Sequence, residues 1–155
     1  MDSDRLNRWL TLLANTAVLI GIILLIVELD QNRDMMRAQI RNEISRAELD
    51  MLASWSGNPA LADAIVRANS GEELSPAEYF MVGARSETVL RLWQNIHYQY
   101  RQGLYDESEF DASIATFSRI LSQHPSLMDT WCRTSTMYSV EFAEQLQSLL
   151  PDDSC

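Results

Sequence analysis

The sequence predicts an all-α protein: an N-terminal transmembrane helix that continues into a long amphipathic helix, packed with a small helical bundle domain. Three observations predict it. Residues Trp9 to Val27 form an apolar run that carries no charge. From Glu28 to Trp55 apolar residues recur at helical intervals, with no Pro or Gly between them. Beyond Gly57 the chain is punctuated by helix-capping residues and shows no alternation of apolar and polar side chains.

The run from Trp9 to Val27 holds 19 residues, of which 12 are Leu, Ile or Val. At about 1.5 Å per residue it measures roughly 28 Å, close to the ~30 Å hydrocarbon layer of a bilayer. Its one Asn and two Thr cannot reverse the transfer free energy of twelve strongly apolar side chains. Glu28-Leu29-Asp30 follows without a small-residue cleavage pattern, so the segment is expected to stay as a signal anchor. The expected organisation is a short tail over 1–8, a transmembrane helix over 9–29 and an acidic helical domain over 30–155. Within that domain 30–56 is a juxtamembrane helix continuous with the span.

Arginines set the expected orientation. Arg5 and Arg8 precede the span, whereas Arg33, Arg37, Arg41 and Arg46 follow it, which places the C-terminal domain in the cytoplasm. Asp2 and Asp4 offset the leading pair in charge, but acidic residues contribute little to topology. The whole chain of 155 residues has a net charge of −10. Its overall mean hydropathy is only −0.16, so the part beyond the span is distinctly polar. A domain this acidic lacks the basic footprint that nucleic acid requires. All twelve basic residues are Arg, either for the forked contacts that Lys cannot make or through compositional bias.

Within the span, Ala14, Ala17 and Gly21 form a small-residue stripe flanked by Val18 and Asn15. Small residues let helix backbones approach, and an Asn amide can hydrogen-bond across such an interface, so this face is the candidate for association in the bilayer. Trp9 at one end, and Glu28, Asp30, Gln31, Asn32 and Arg33 at the other, are candidates for a collar at the membrane surface. In an oligomer that collar would ring a pore mouth; in a single helix it terminates the span.

The remaining elements follow from caps and periodicity. Leu29, Met36, Ile40, Ile44, Ala47, Met51 and Trp55 make one apolar stripe, able to dock later helices or to pair with its own copy. One helix is predicted from about Leu6 to Trp55, stopped by Gly57-Asn58-Pro59. Asn58 and Pro59 then open a short helix to Ala68. Ser75-Pro76-Ala77-Glu78 is a capping box that opens a long helix to about Gln102, with Gly103 as its stop. Its apolar residues include Phe80, Ala84, Val89, Leu92, Trp93, Ile96 and Tyr100. Asp106 caps a helix that ends near His124-Pro125 and buries Phe110, Ile114, Phe117 and Leu121. Short helices over Leu127–Arg133 and Ser139–Leu150 complete the chain.

Chemistry is sparse. Trp93, His97 and Tyr100 share one helix face and form a candidate ligand cluster, or else part of the core. His97 has no second ligand at helical metal-site spacing, because Gln94 and Arg101 occupy those positions. Cys132 lies beside Arg133, a neighbour that can lower a thiol pKa, but no nucleophile–base pattern accompanies it. Cys132 and Cys155 have no metal-type spacing, and no disulfide framework is expected, in keeping with a reducing compartment. No catalytic residues, metal site or cofactor are expected.

The stretch from Ala14-Asn15 through Val18-Leu19-Ile20-Gly21 to Glu28-Leu29-Asp30-Gln31-Asn32 resembles a family of small bacterial single-span membrane proteins. Those proteins carry Ala-Asn near the start of an N-terminal span and Gln-Asn just after it, followed by a helical domain. The resemblance extends to Gly103-Leu104, Asp106-Glu107, Trp131, Arg133 and Glu141-Phe142. It implies a bacterial inner-membrane protein and brings no activity with it. The function expected on these grounds is a non-enzymatic, single-pass membrane protein that self-associates through its span and juxtamembrane helix and serves as a scaffold. An accessory subunit of a larger membrane complex, or a small homo-oligomeric channel, are the alternatives. Membrane lipid is the expected surrounding of the span in every case.

Overall fold

A computed structural model describes residues 3–151 and 154–155. Asp2, which figured in the charge reading of the leading segment, lies outside the described residues. The protein is all-α, and no strand occurs among the described residues. The helices are α1 (Ser3–Ser56), α2 (Pro59–Asn69), α3 (Pro76–Arg101), α4 (Glu107–Gln123), α5 (Pro125–Thr134) and α6 (Val140–Gln147), with a 3₁₀ turn at Ser135–Met137.

The caps explain these boundaries. Asn58 Oδ1 accepts from the Leu61 N–H at 3.2 Å. At Ser75 the box is reciprocal: its hydroxyl accepts from the Glu78 N–H at 3.4 Å, and Glu78 Oε2 accepts from the Ser75 N–H at 2.8 Å. Asp106 accepts from the Ser108 and Glu109 N–H groups. After α3 the chain turns through Gly103 at φ 69°, a left-handed conformation that a Cβ would disfavour. That turn lets the Leu104 N–H reach back to the Gln99 carbonyl at 2.9 Å and close the helix end. Helix α1 begins at Ser3, so the tail expected over 1–8 is helical from that residue. Helix α6 is shorter than the predicted Ser139–Leu150.

The chain divides into two compact units, Met1–Gln39 and Ile40–Cys155, with the boundary inside α1. In the first unit every described side chain is exposed. In the second, α3 is the centre and packs against α2, α4, α5 and α6. Its buried stripe is Val82, Ser86, Val89, Leu90, Trp93, Ile96 and His97. Phe80 and Ala84, two of the apolar residues of this helix, face out, and Phe80 is 74% exposed. The reason is the register of the stripe: Ser86 and His97 hold two of its positions, so an apolar count alone misplaces the face. Trp93 stacks on Phe117 of α4 with ring centroids 4.2 Å apart, and Tyr100 stacks on Phe110 at 3.9 Å. Leu90, Ile96 and Leu127 are fully enclosed, each contributing about 1.5–3 kcal/mol through burial.

The juxtamembrane stripe divides. Ile44 is buried and Ile40, Met51 and Trp55 pack on the core, whereas Leu29, Met36 and Ala47 stay exposed. Docking of the later helices therefore uses the stripe only from Ile40 onward. Arg41 adds an ion pair to Glu109 of α4 at 2.7 Å.

Two further ties cross the domain. Arg67 of α2 binds Glu78 at 2.7 Å and the Glu73 carbonyl at 2.7 Å, joining α2 to the cap of α3. The Asn69 side chain reaches α5: its Oδ1 accepts from the Ser126 hydroxyl at 2.8 Å, and its Nδ2 lies 3.0 Å from His124 Nδ1. The cysteines correct an expectation. Cys132 and Cys155 form a disulfide with Cα atoms 5.4 Å apart. Their separation of 23 residues announces nothing, because only the return of the chain end to α5 brings the sulfurs together.

Candidate functional site

The first unit holds the candidate association face. Helical geometry places Ala14, Ala17, Val18 and Gly21 on one side of α1, with Asn15 at its border. A Cβ added at Gly21 would meet nothing within 4 Å, so within the chain this glycine is not required by packing. Thr11 and Thr16 satisfy their hydroxyls internally, each donating to a carbonyl four residues earlier at 2.9 Å. Asn15 has no such arrangement among the described residues, and its amide is left to pair outside the helix. An 18-residue window of α1 has a mean hydropathy of 2.6 and none of it is buried in protein. The helix is long and apolar enough to cross a membrane.

The candidate collar residues are spread around α1. Glu28, Asp30, Gln31, Asn32 and Arg33 are all exposed. Successive helical residues turn by about 100°, so these five point to every side of the helix and do not line one face. Trp9, 65% exposed, stands at the opposite end of the apolar run.

The residues of the candidate ligand cluster pack against aromatic rings of other helices. His97 is 7% exposed and lies between Phe110 and Phe142, with ring centroids 6.1 and 5.8 Å away. Tyr100 is covered by Phe110 on one face. Both belong to the core, and Trp93 alone of the three also borders a cavity. Burial, followed by the Arg101 charge, pushes the His97 pKa down, while Glu141 opposes this. His124 is shifted the same way by burial and then by Arg85.

These shifts have a pH consequence. Both folded-state values lie below the ordinary 6.5, so as pH falls the unfolded chain takes up protons first. Stability is full above about pH 6.5 and declines below it. Protonating His124 would in addition set an Nδ1–H against the Asn69 amide nitrogen 3.0 Å away. Glu78, held down by the Ser75 backbone N–H, and Glu141, held down by a backbone N–H, add further loss below about pH 4.5. Glu48, whose carboxyl burial pushes up, offsets part of this, and the melting temperature of the full chain is expected to be level from pH 8 to 7 and to fall from 6.5 to 4. A rise over that interval would contradict the assignment.

One residue was missed by sequence reasoning. Arg85 lies on α3 between Val82 and Val89, with its guanidinium over the Trp55 ring at 4.4 Å. Its Nε and Nη1 are buried and reach no acceptor. A lone Arg in an amphipathic helix gives no sign that it will be enclosed. Among the described residues no group of His, Cys, Asp and Glu is arranged to hold a metal ion. Compared with protein-family models, curated proteins and solved structures, the chain matches none.

Proposed function

We propose that this chain is a non-enzymatic, single-pass protein of a bacterial inner membrane that self-associates through its span, its acidic helical domain serving as a docking scaffold. The observation that carries this reading is the charge-free apolar stretch of α1, wholly unburied by protein, with an Asn amide beside its small-residue face. In hydrocarbon that amide gains from a partner across an interface. The bacterial setting rests on the family resemblance of the span.

Two signals oppose each other on orientation. The arginine excess after the span favours a cytoplasmic domain, by four residues against two. The Cys132–Cys155 disulfide favours an oxidising compartment, since a reducing cytoplasm would keep both thiols free. We read the disulfide as the heavier signal and propose a periplasmic domain, against the cytoplasmic side expected from the arginines. In intact cells a membrane-impermeant maleimide should then label the cysteines only after an impermeant reductant is added. Labelling without reductant, and only after the membrane is opened, would reverse the orientation.

Self-association is tested by native mass spectrometry of protein extracted gently from its own membranes. Integer multiples of 17.7 kDa are expected. Gly21→Leu should shift the distribution toward monomer without changing helicity, because the added side chain meets nothing within the chain. Unchanged oligomer mass in both Gly21→Leu and Asn15→Leu would remove the span from the interface. Stoichiometric recovery with a larger foreign partner would make the chain an accessory subunit instead.

A further inference from the structure

The groove between the Ile40–Ser56 part of α1 and helices α3 and α4 encloses about 380 Å³, within the size range of small-molecule sites. Its walls are chiefly aromatic and aliphatic, with Trp55, Trp93, Tyr105 and Phe117 among them. Arg85 is the one cation in the lining and Glu48 the one carboxylate. The two are not partners: burial alone pushes the Glu48 carboxyl up and the Arg85 guanidinium down, with no share from the other's charge. A guanidinium stays protonated in any case.

The balance is therefore uneven. Arg85 sits over Trp55, with Nε and Nη1 enclosed and without an acceptor, so Nη2 is the nitrogen it presents. A cation kept in apolar surroundings without a counter-ion is costly, and an anion brought to it gains far more than it would in water. A flat ring suits a slot walled by indole and phenyl rings. We propose that this groove binds a small aromatic carboxylate, its carboxylate on Arg85 and its ring among Trp55, Trp93 and Phe117.

The test is calorimetric titration of the full chain in phosphatidylcholine nanodiscs with 2-naphthoate, against its neutral counterpart 2-naphthamide and with empty discs subtracted. Wild type should bind the carboxylate at least about tenfold more tightly than the amide, as expected for a charge-assisted hydrogen bond. Arg85→Met should abolish that preference. Glu48→Gln should tighten naphthoate binding, because it removes the one repelling charge of the lining. Ala112→Phe, at an exposed position on α4 that borders the groove, should block both compounds while circular dichroism stays unchanged. Equal binding of naphthoate and naphthamide, no binding of either, or a preference that survives Arg85→Met would overturn the proposal. If Arg85→Met fails to fold, the Glu48→Gln and Ala112→Phe responses decide it.

Discussion

Trp131→Ala is expected to remove about 3–5 kcal/mol from the stability of the helical domain. Trp131 is 1% exposed on α5 and packs against Tyr138 and Phe142, the latter edge-on with centroids 6.0 Å apart. Truncation would open a cavity where α5 meets α3 and α6, and none of the three can close it without losing contacts elsewhere. A domain of this size has about 5–15 kcal/mol in all, so the variant should be partly unfolded at moderate denaturant. Trp131→Phe makes the sharper comparison. The indole Nε1 is buried without an acceptor, and a phenyl ring removes that orphan donor while keeping most of the volume. Both variants remove that donor, whose unsatisfied burial costs about 1–3 kcal/mol, but only Phe keeps most of the ring volume, so the Phe variant should lose far less than the Ala variant. Urea titration of the full chain in detergent, followed by near-ultraviolet circular dichroism, reads both. Equal losses would mean that ring volume at this site adds nothing to stability.

Cys132→Ser is the second large effect, at about 3 kcal/mol. The disulfide closes a loop spanning 23 residues of sequence, and the denatured chain gains that much conformational freedom when the link is cut. The same loss should appear in wild type on adding reductant, and reductant should then leave Cys132→Ser unchanged. Helix α5 would keep its other tie, the Asn69 contacts to Ser126 and His124, so the loss should fall on the end of the chain first. A wild-type transition indifferent to reductant would show that the disulfide adds no stability.

Much of the fold was legible in the sequence. The ends of α2, α3 and α4 were readable because Asn58, Ser75 and Asp106 bond backbone N–H groups within three residues of themselves. The burial of Phe110, Phe117 and Leu121 followed from spacing alone, while Ile114 is only partly covered. On α3, Ser86 and His97 occupy inward positions that apolar spacing does not mark, and Phe80 is left outside. Around the candidate ligand cluster, Phe110 of α4 and Phe142 of α6 pack against His97, contacts between helices that no local window displays.

What the sequence by itself determined is local: the apolar length of α1, the absence of a helix breaker before Gly57, and the caps and turns that divide the rest into short helices. These depend on hydrogen bonds and side-chain volumes within a few residues, so they are already written in any window of the chain. The tertiary structure alone decided which part of the α1 stripe is covered, that Arg85 is enclosed against Trp55, and that Cys155 meets Cys132. Each of those depends on where a distant helix comes to rest, and that position is set by the packing of all the buried faces together.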